Sequence, residues 1–271
     1  MILQLFADGF EFAEGPLWVP GKGLLVSDTR TGIIWLINES GNKSVFLERA
    51  GGGNEGDPLL SDMTGPNGLA LGDDNTIYLC QHGGHCVARL DEKKHITRLA
   101  THYDNRPFNS PNDLVLKKNA VFFTDPPYGL KDQKLMQGLF QPHAGVYKYE
   151  EGIVTLLDVS LDFPNGICFS NDSRYLFVSS NAPHEPRLLR FKVDKYNYLQ
   201  SKTVFCPINA DGITITPGGV LIACADDGLL FINPRGKIID HLKMEKSPSN
   251  VCCHENYFYV TAREHVYWCK L

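Results

Sequence analysis

A short phrase recurs six times along the chain, and it constrains the fold more than any other feature. A polar residue (Glu, Asn or Asp) sits with Gly or Pro at the head of a brief apolar run. The occurrences are Glu14-Gly15-Pro16-Leu17-Trp18, Gly65-Pro66-Asn67-Gly68-Leu69, Ser110-Pro111-Asn112-Asp113-Leu114, Phe163-Pro164-Asn165-Gly166-Ile167, Ala210-Asp211-Gly212-Ile213 and Ser247-Pro248-Ser249-Asn250-Val251. Counting from Glu14, Asn67, Asn112, Asn165, Asp211 and Asn250, the spacing runs from 39 to 53 residues. A period of about 40–50 residues is that of a four-stranded propeller blade.

The interior of each repeat agrees. In the second, Gly65–Leu71, Thr76–Cys80, Cys86–Leu90 and His95–Leu99 read as four short strands, with a Gly72-Asp73-Asp74-Asn75 turn after the first. The third opens on Leu114-Val115-Leu116, turns at Lys117–Asn119 and continues as Val121–Thr124. The fourth reads Ile167–Phe169, Tyr175–Ser180, Arg187–Val193 and Thr203–Cys206. Helical periodicity is confined to Lys131–Leu139. The sixth repeat has room for only three strands, Val251–Cys253, Tyr257–Thr261 and His265–Leu271. The first repeat has an apolar segment to spare, Ile2–Phe6. An unpaired edge exposes backbone donors and acceptors, so the economical solution is closure of the ring by the N-terminal strand. The expectation is an all-β protein, one six-bladed β-propeller domain over 1–271. Two insertions stand out: a glycine-rich loop at Ala50–Thr64, expected to overhang the channel mouth, and a long loop at Tyr128–Gly145.

Bulk properties narrow the function. A formal net charge of −5 gives no electrostatic case for nucleic acid. No apolar run approaches the length of a membrane span, and Met1–Phe12 has neither the basic start nor the apolar core of a signal peptide. The expectation is a cytoplasmic protein, a monomer or small homo-oligomer, without membrane or nucleic-acid partners. The 8 cysteines are scattered with no CxxC pair, so they read as reduced, buried, small apolar residues.

In a propeller the innermost strands line a central channel, so residues at their starts converge at one mouth. Glu14, Asn67, Asn112, Asn165, Asp211 and Asn250 are placed there by the repeat. Carboxylate and amide oxygens around one axis suit a hard divalent cation. The same dipeptides, Pro-Asn-Gly and Asp-Gly, also serve as turns for backbone reasons alone. Turn chemistry does not require Glu at position 14, and Asn250 is left as a turn residue.

These phrases resemble the senescence-marker protein (regucalcin), gluconolactonase and luciferin-regenerating enzyme family, within it the bacterial gluconolactonase type. The similarity runs in order through Val26-Ser27-Asp28, Cys80-Gln81-His82-Gly83, Asn109-Ser110-Pro111-Asn112-Asp113, Phe123-Thr124-Asp125-Pro126-Pro127-Tyr128-Gly129 and Val260-Thr261-Ala262-Arg263. The resemblance implies a six-bladed propeller with one divalent metal held by Glu14, Asn112, Asn165 and Asp211. It implies hydrolysis of a sugar lactone, a small-molecule substrate, to the aldonic acid. Diisopropyl fluorophosphatase and the paraoxonases look similar in their metal shell. Animal regucalcins carry a substrate-contacting arginine near the third motif; here Ser110 stands there, which leaves the sugar preference open.

The chemistry expected is polarisation of a lactone carbonyl by the cation and attack by an activated water. Asp211 is the first candidate for general base, or for orienting a water that the cation activates. His82 is the second candidate base. Asn67, Asp28, Asp125 and Tyr128 are candidate substrate contacts. Ca²⁺ is the first choice of ion, with Mg²⁺, Mn²⁺ or Zn²⁺ as alternatives. An organophosphate or aryl-ester hydrolase, another lactone hydrolase, and a non-enzymatic calcium-binding propeller are the competing readings.

Overall fold

A computed structural model describes residues 1–271 except Glu55, Pro183 and Glu185, and the side chain of Gln137. Within it, six four-stranded antiparallel sheets surround one axis. Strand β1 is Gln4–Asp8. Blade 1 is β2 (Ala13–Val19), β3 (Gly23–Asp28), β4 (Ile33–Ile37) and β5 (Lys43–Leu47). Blade 2 is β6 (Pro66–Leu71), β7 (Ile77–Gln81), β8 (Cys86–Leu90) and β9 (Ile96–Ala100). A two-residue hairpin, β10 (His102–Tyr103) with β11 (Arg106–Pro107), follows. Blade 3 is β12 (Leu114–Lys117), β13 (Ala120–Asp125), then a single helical turn α1 (Leu135–Gly138), β14 (Gly145–Glu150) and β15 (Ile153–Asp158). Blade 4 is β16 (Pro164–Phe169), β17 (Tyr175–Ser180), β18 (Leu188–Val193) and β19 (Leu199–Cys206). Blade 5 is β20 (Ile213–Ile215), β21 (Leu221–Ala225), β22 (Gly228–Ile232) and β23 (Ile238–Lys243). Blade 6 is β24 (Asn250–His254), β25 (Tyr257–Ala262) and β26 (His265–Lys270). Helix α1 lies inside the one segment with helical periodicity and is shorter than that segment.

The sixth sheet is completed by β1, which pairs antiparallel with β26 from Gln4↔Trp268 to Asp8↔His265. The expected closure is therefore present, two residues later in the chain than Ile2–Phe6. The inner strands β2, β6, β12, β16, β20 and β24 each touch the next, and β24 returns to β2.

Cohesion comes from apolar layers between neighbouring blades, the packing of one sheet face on another. Leu25 and Ile34 of blade 1 meet Leu69, Leu79 and Ala88 of blade 2. On the opposite face of the same strand, Leu24 and Val26 meet Tyr259 and Val266 of blade 6. Strand β3 is thus buried on both faces, which is why GLLVSD is a continuous run rather than an alternating one. Trp18 belongs to this layer, stacked on His254 and Tyr259. No cysteine is disulfide-bonded among the described residues, and six of the eight are buried. Among the described residues no helix is long and apolar enough to cross a membrane.

Candidate active site

The recurring phrase is a bulge rather than a free turn. Between Pro66 and Leu69, between Pro164 and Ile167, and between Glu14 and Leu17 the inner strand slips register against its partner. A bulge re-aims a side chain, and here it turns the polar residue toward the axis. The glycine that follows is required by crowding. A Cβ on Gly15 would lie 2.0 Å from the Asn67 carbonyl oxygen, and one on Gly166 would lie 2.7 Å from that of Asp211. The gap is closed by hydrogen bonds from blade to blade: Gly68 N–H to the Asn112 carbonyl (2.8 Å), Gly166 to Asp211 (3.2 Å) and Gly212 to Ser249 (2.8 Å).

That last bond corrects the sixth station. The N–H of Asn112 donates to Thr124, that of Asp211 to Cys224 and that of Ser249 to Thr261. Ser249, not Asn250, therefore stands where Asn112 and Asp211 stand. Asn250 occupies the slot that glycine fills at Gly15, Gly68, Gly166 and Gly212. Asp113 is the other exception. Blades 3 and 6 are opposite each other in a ring of six, and the two side chains approach: the Asn250 amide is close enough to Asp113 and to Glu14 to draw the pKa of both carboxyls down, against burial. The Asp113 carboxyl also accepts from the N–H groups of Leu114 (2.9 Å) and Ile167 (3.3 Å). Below this pair the inner strands enclose a channel of about 330 Å³. Sequence reasoning passed over Asp113; its signal was that it replaces glycine in the recurring phrase.

Above the pair sit the expected ligands. Glu14, Asn112 and Asn165 are buried and Asp211 is partly so. The Glu14 carboxyl is pushed well above the usual carboxylate range, first by burial and then by the Asp211 charge; the Gly15 N–H, 3.2 Å away, pulls the other way. Burial pushes Asp211 up to about 7, against hydrogen bonding from the Asn165 amide and the attraction of Arg263. Two buried like charges this close favour protonation of one of them unless a cation intervenes.

His82 organises the amides. It is buried, and its Nδ1 donates to the Met63 carbonyl at 2.9 Å. Its Nε2 then accepts from Asn67 Nδ2 (3.2 Å) and Asn112 Nδ2 (3.5 Å). With their nitrogens drawn to the imidazole, both amides present their oxygens elsewhere, and Asn67 Oδ1 is buried without a partner among the described residues. Burial lowers the His82 pKa to about 4, so the ring is neutral at pH 7. Among the described residues no three His, Cys, Asp or Glu side chains gather as a metal shell. The set present is two acids with amides, an all-oxygen set with an orphaned amide oxygen beside it. It fits a hard cation such as Ca²⁺ and suits the nitrogen- and sulfur-seeking Zn²⁺ poorly.

The other candidates divide. Tyr128 faces the site: its hydroxyl is within 3.5 Å of Asn165 Nδ2, and burial together with Asp211 and Glu14 raises its pKa. Its ring stacks on Phe163. Asp125 and Asp28 are placed differently from the expectation of substrate contact. Asp125 is fully buried, with its oxygens on the N–H groups of Asn109 (2.9 Å) and Ser110 (2.8 Å). Asp28 does the same for Glu11 and Phe12, both at 3.0 Å. Each sits at the end of the second strand of its blade and fastens the loop entering that blade, so its lone pairs are committed to backbone. Ser110 is likewise internal: its hydroxyl donates to the Pro126 carbonyl (2.5 Å) and accepts from Gly129 N–H (2.8 Å). It pins the turn after Asp125. His85 is half-buried, bonded to the Asn109 carbonyl and packed on Phe140.

The two insertions form a wall at the mouth, residue 55 lying outside the described residues. Ser61 N–H donates to the Gly129 carbonyl and its hydroxyl to that of Tyr128, both at 2.9 Å, while Lys131 N–H donates to Leu59. Arg263, between β25 and β26, is the cation whose charge acts on the Asp211 carboxyl. It lies over the Phe12 ring at 4.9 Å and close enough to Asp211 to draw its pKa down.

The model of one family, described as an SMP-30/Gluconolactonase/LRE-like region, matches residues 12–264. The chain belongs to that family. Gluconolactonase of Zymomonas mobilis subsp. mobilis is 28% identical over 273 residues, covering 93% of this chain and 75% of that protein. Among solved structures, a gluconolactonase from Xanthomonas campestris superposes with a TM-score of 0.86 at 24% identity, over 99% of this chain and 89% of that one. A calcium-binding regucalcin from Agrobacterium tumefaciens gives 0.74 at 17% identity, over 97% and 94%. At these identities the two structures speak for the fold of the family, a six-bladed propeller.

Proposed function

We propose that this chain is a lactonase, a divalent-metal-dependent hydrolase that opens a sugar lactone to the aldonic acid. The observation that carries the reading is the pair of carboxyls Glu14 and Asp211, both raised by burial, Glu14 also by the Asp211 charge, in a ring completed by Asn112 and Asn165. Family membership and the gluconolactonase relative support the lactone as substrate. The all-oxygen set and the calcium-binding structural relative support Ca²⁺.

Glu14, Asn112, Asn165 and Asp211 would hold the ion, with the partnerless Asn67 oxygen beside them. A cation bound there supplies Lewis-acid polarisation of the lactone carbonyl. The rest falls to the chain. The Asp211 carboxyl is the group on the site able to orient the attacking water and accept its proton; a bound cation would lower its pKa from the cation-free value of about 7, which favours the orienting role. Tyr128 and its Phe163 stacking partner form a flat wall against which a ring can lie. His82 holds the amide oxygens on the axis; with its Nε2 lone pair directed at two amides, its role in this reading is positioning rather than proton transfer. The loop wall of 59–61 and 128–131 excludes water from that side.

The test is hydrolysis of D-glucono-1,5-lactone before and after exhaustive chelation, with add-back of Ca²⁺, Mg²⁺, Mn²⁺ and Zn²⁺. Activity should vanish and return with Ca²⁺. Full activity after chelation removes the metal from the reading. Turnover of phenyl acetate or a fluorophosphate, with no lactone hydrolysed under any ion, removes the lactone.

A further inference from the structure

Beside the mouth, between blades 1 and 2, lies a pocket of about 440 Å³ that the chemistry above does not use. Its lining includes Arg30, Thr31, Arg49, Gly52, Gly53 and Thr64. The chain as a whole is acidic, yet this pocket carries two guanidinium groups, and a third, Arg98, is anchored on the Gly52 carbonyl at 3.1 Å. Arg49 has no ion pair or hydrogen bond among the described residues. Arg30 is held only by Asp62, in an ion pair of 3.2 Å whose partners are 44% and 71% exposed, an arrangement easily exchanged for a better anion.

The glycines add backbone donors. Gly51 and Gly53 lie against other backbone: a Cβ on Gly51 would meet the Thr64 carbonyl oxygen at 2.2 Å, and one on Gly53 the Gly83 Cα at 2.9 Å, while one on Gly52 would meet the Gln81 side chain at 2.9 Å. Only glycine allows that approach. It leaves the N–H groups of Gly52 and Gly53 on the pocket wall, donating to nothing among the described residues. Unused N–H groups of a glycine run together with arginines recognise tetrahedral oxyanions.

The pocket is also connected to the candidate site. Thr64 follows Met63, whose carbonyl holds His82. On the other side Arg30 lies over the Phe12 ring at 5.8 Å and Arg263 over the same ring at 4.9 Å, and Arg263 acts on Asp211. A row of cations thus runs from the pocket to the carboxyls.

We infer that this pocket is a binding site for a phosphate-type oxyanion, either the anionic arm of the substrate or a separate anionic effector. The substrate arm rests on the lactonase reading; the anion site does not. The deciding experiment is calorimetric titration of the full chain with inorganic phosphate, in chelator and at constant ionic strength, against the Arg30→Ala/Arg49→Ala double variant. Both arginines are exposed, and an unchanged unfolding midpoint shows that the variant is folded. One saturable site in the wild type, weakened about tenfold or more in the double variant as expected for lost charge-assisted hydrogen bonds, supports the inference. Non-saturable binding, or equal binding by both chains, overturns it. Kinetics then separates the sources. If phosphate competes with D-glucono-1,5-lactone 6-phosphate and that ester outperforms the neutral lactone, the site holds a substrate arm. If phosphate alters neutral-lactone turnover without competing, it is an effector site. A chain that binds phosphate but opens no lactone retains the anion site and loses the lactonase reading.

Discussion

Replacing Asp211 by Asn should stabilise the ion-free protein while abolishing tight calcium binding. In the folded chain without a cation, burial pushes the Asp211 carboxyl up to about 7, against a reference of 3.8. Between those values the folded chain holds a proton that the unfolded chain has released. Stability therefore falls as pH rises from about 4 to about 7 and stays low above it. A three-unit shift corresponds to a ceiling of ~4 kcal/mol. The carboxyl is partly open to solvent, so a realistic loss is nearer ~2 kcal/mol. The Asp211→Asn variant keeps the shape, and its amide does not ionise. At pH 4 in chelator the two chains should unfold together; at pH 8 the variant should be the more stable by ~2 kcal/mol, or roughly 5 °C in midpoint. Added Ca²⁺ should raise the wild type at pH 8 and leave the variant nearly unmoved. Denaturant and thermal unfolding across pH 4 to 8, with and without ion, read all of this. Parallel pH profiles for the two chains, or a variant that is less stable at pH 8, would refute the idea that the Asp211 carboxyl is held on the axis without enough solvent or counter-charge to keep it ionised.

Other expectations follow from the same geometry. Gly15→Ala should cost ~3 kcal/mol in urea unfolding, because the new methyl would lie 2.0 Å from the Asn67 carbonyl oxygen at a φ of +46°. Gly32→Ala, at φ +73° with nothing within 4 Å, should cost only ~1 kcal/mol. His82→Ala should weaken calcium binding about ten- to hundred-fold by releasing the Asn67 and Asn112 amides, measured by titration with a calcium indicator. Deleting residues 1–8 should lower the unfolding midpoint and produce concentration-dependent aggregation in light scattering, since β26 would then present an unpaired edge.

Much of this architecture can be read from the sequence because it is periodic. Six recurring polar phrases, four of them with glycine next, define six inner strands, and a sixth repeat lacking a strand beside a first repeat with one to spare predicts the closure. The station of each blade could also be read where the bulge carries Pro-Asn-Gly or Glu-Gly. It failed at blade 6, where Ser249-Asn250 mimics the phrase one residue out of step and only the backbone bond from Gly212 to Ser249 fixes the register. Asp28 and Asp125 show the other boundary. An acid at a strand end near the mouth looks the same in sequence whether it faces a ligand or fastens a loop; the difference lies in two N–H groups 15 to 17 residues away. The nearness of Arg263 to Asp211 and the arginine pocket were invisible for a related reason, because they are assembled from separate loops across blades 6, 1 and 2.

The approach of Asn250 to Asp113 also acts on the ring as a whole. Four of the six stations have glycine beside the axis and can approach only until backbone meets backbone. The remaining two carry side chains that reach across from opposite blades and meet, so they work as a strut along one diameter. A ring whose diameter is fixed in one direction has little freedom to widen in the others, because each inner strand leans on the next. The size of the hole that the proposed ligands Glu14, Asn112, Asn165 and Asp211 would share is thereby gauged from beneath by two side chains that need never touch an ion. Shortening the strut, as in Asn250→Ala, would let the aperture breathe, and ion size selectivity would be the property to loosen first.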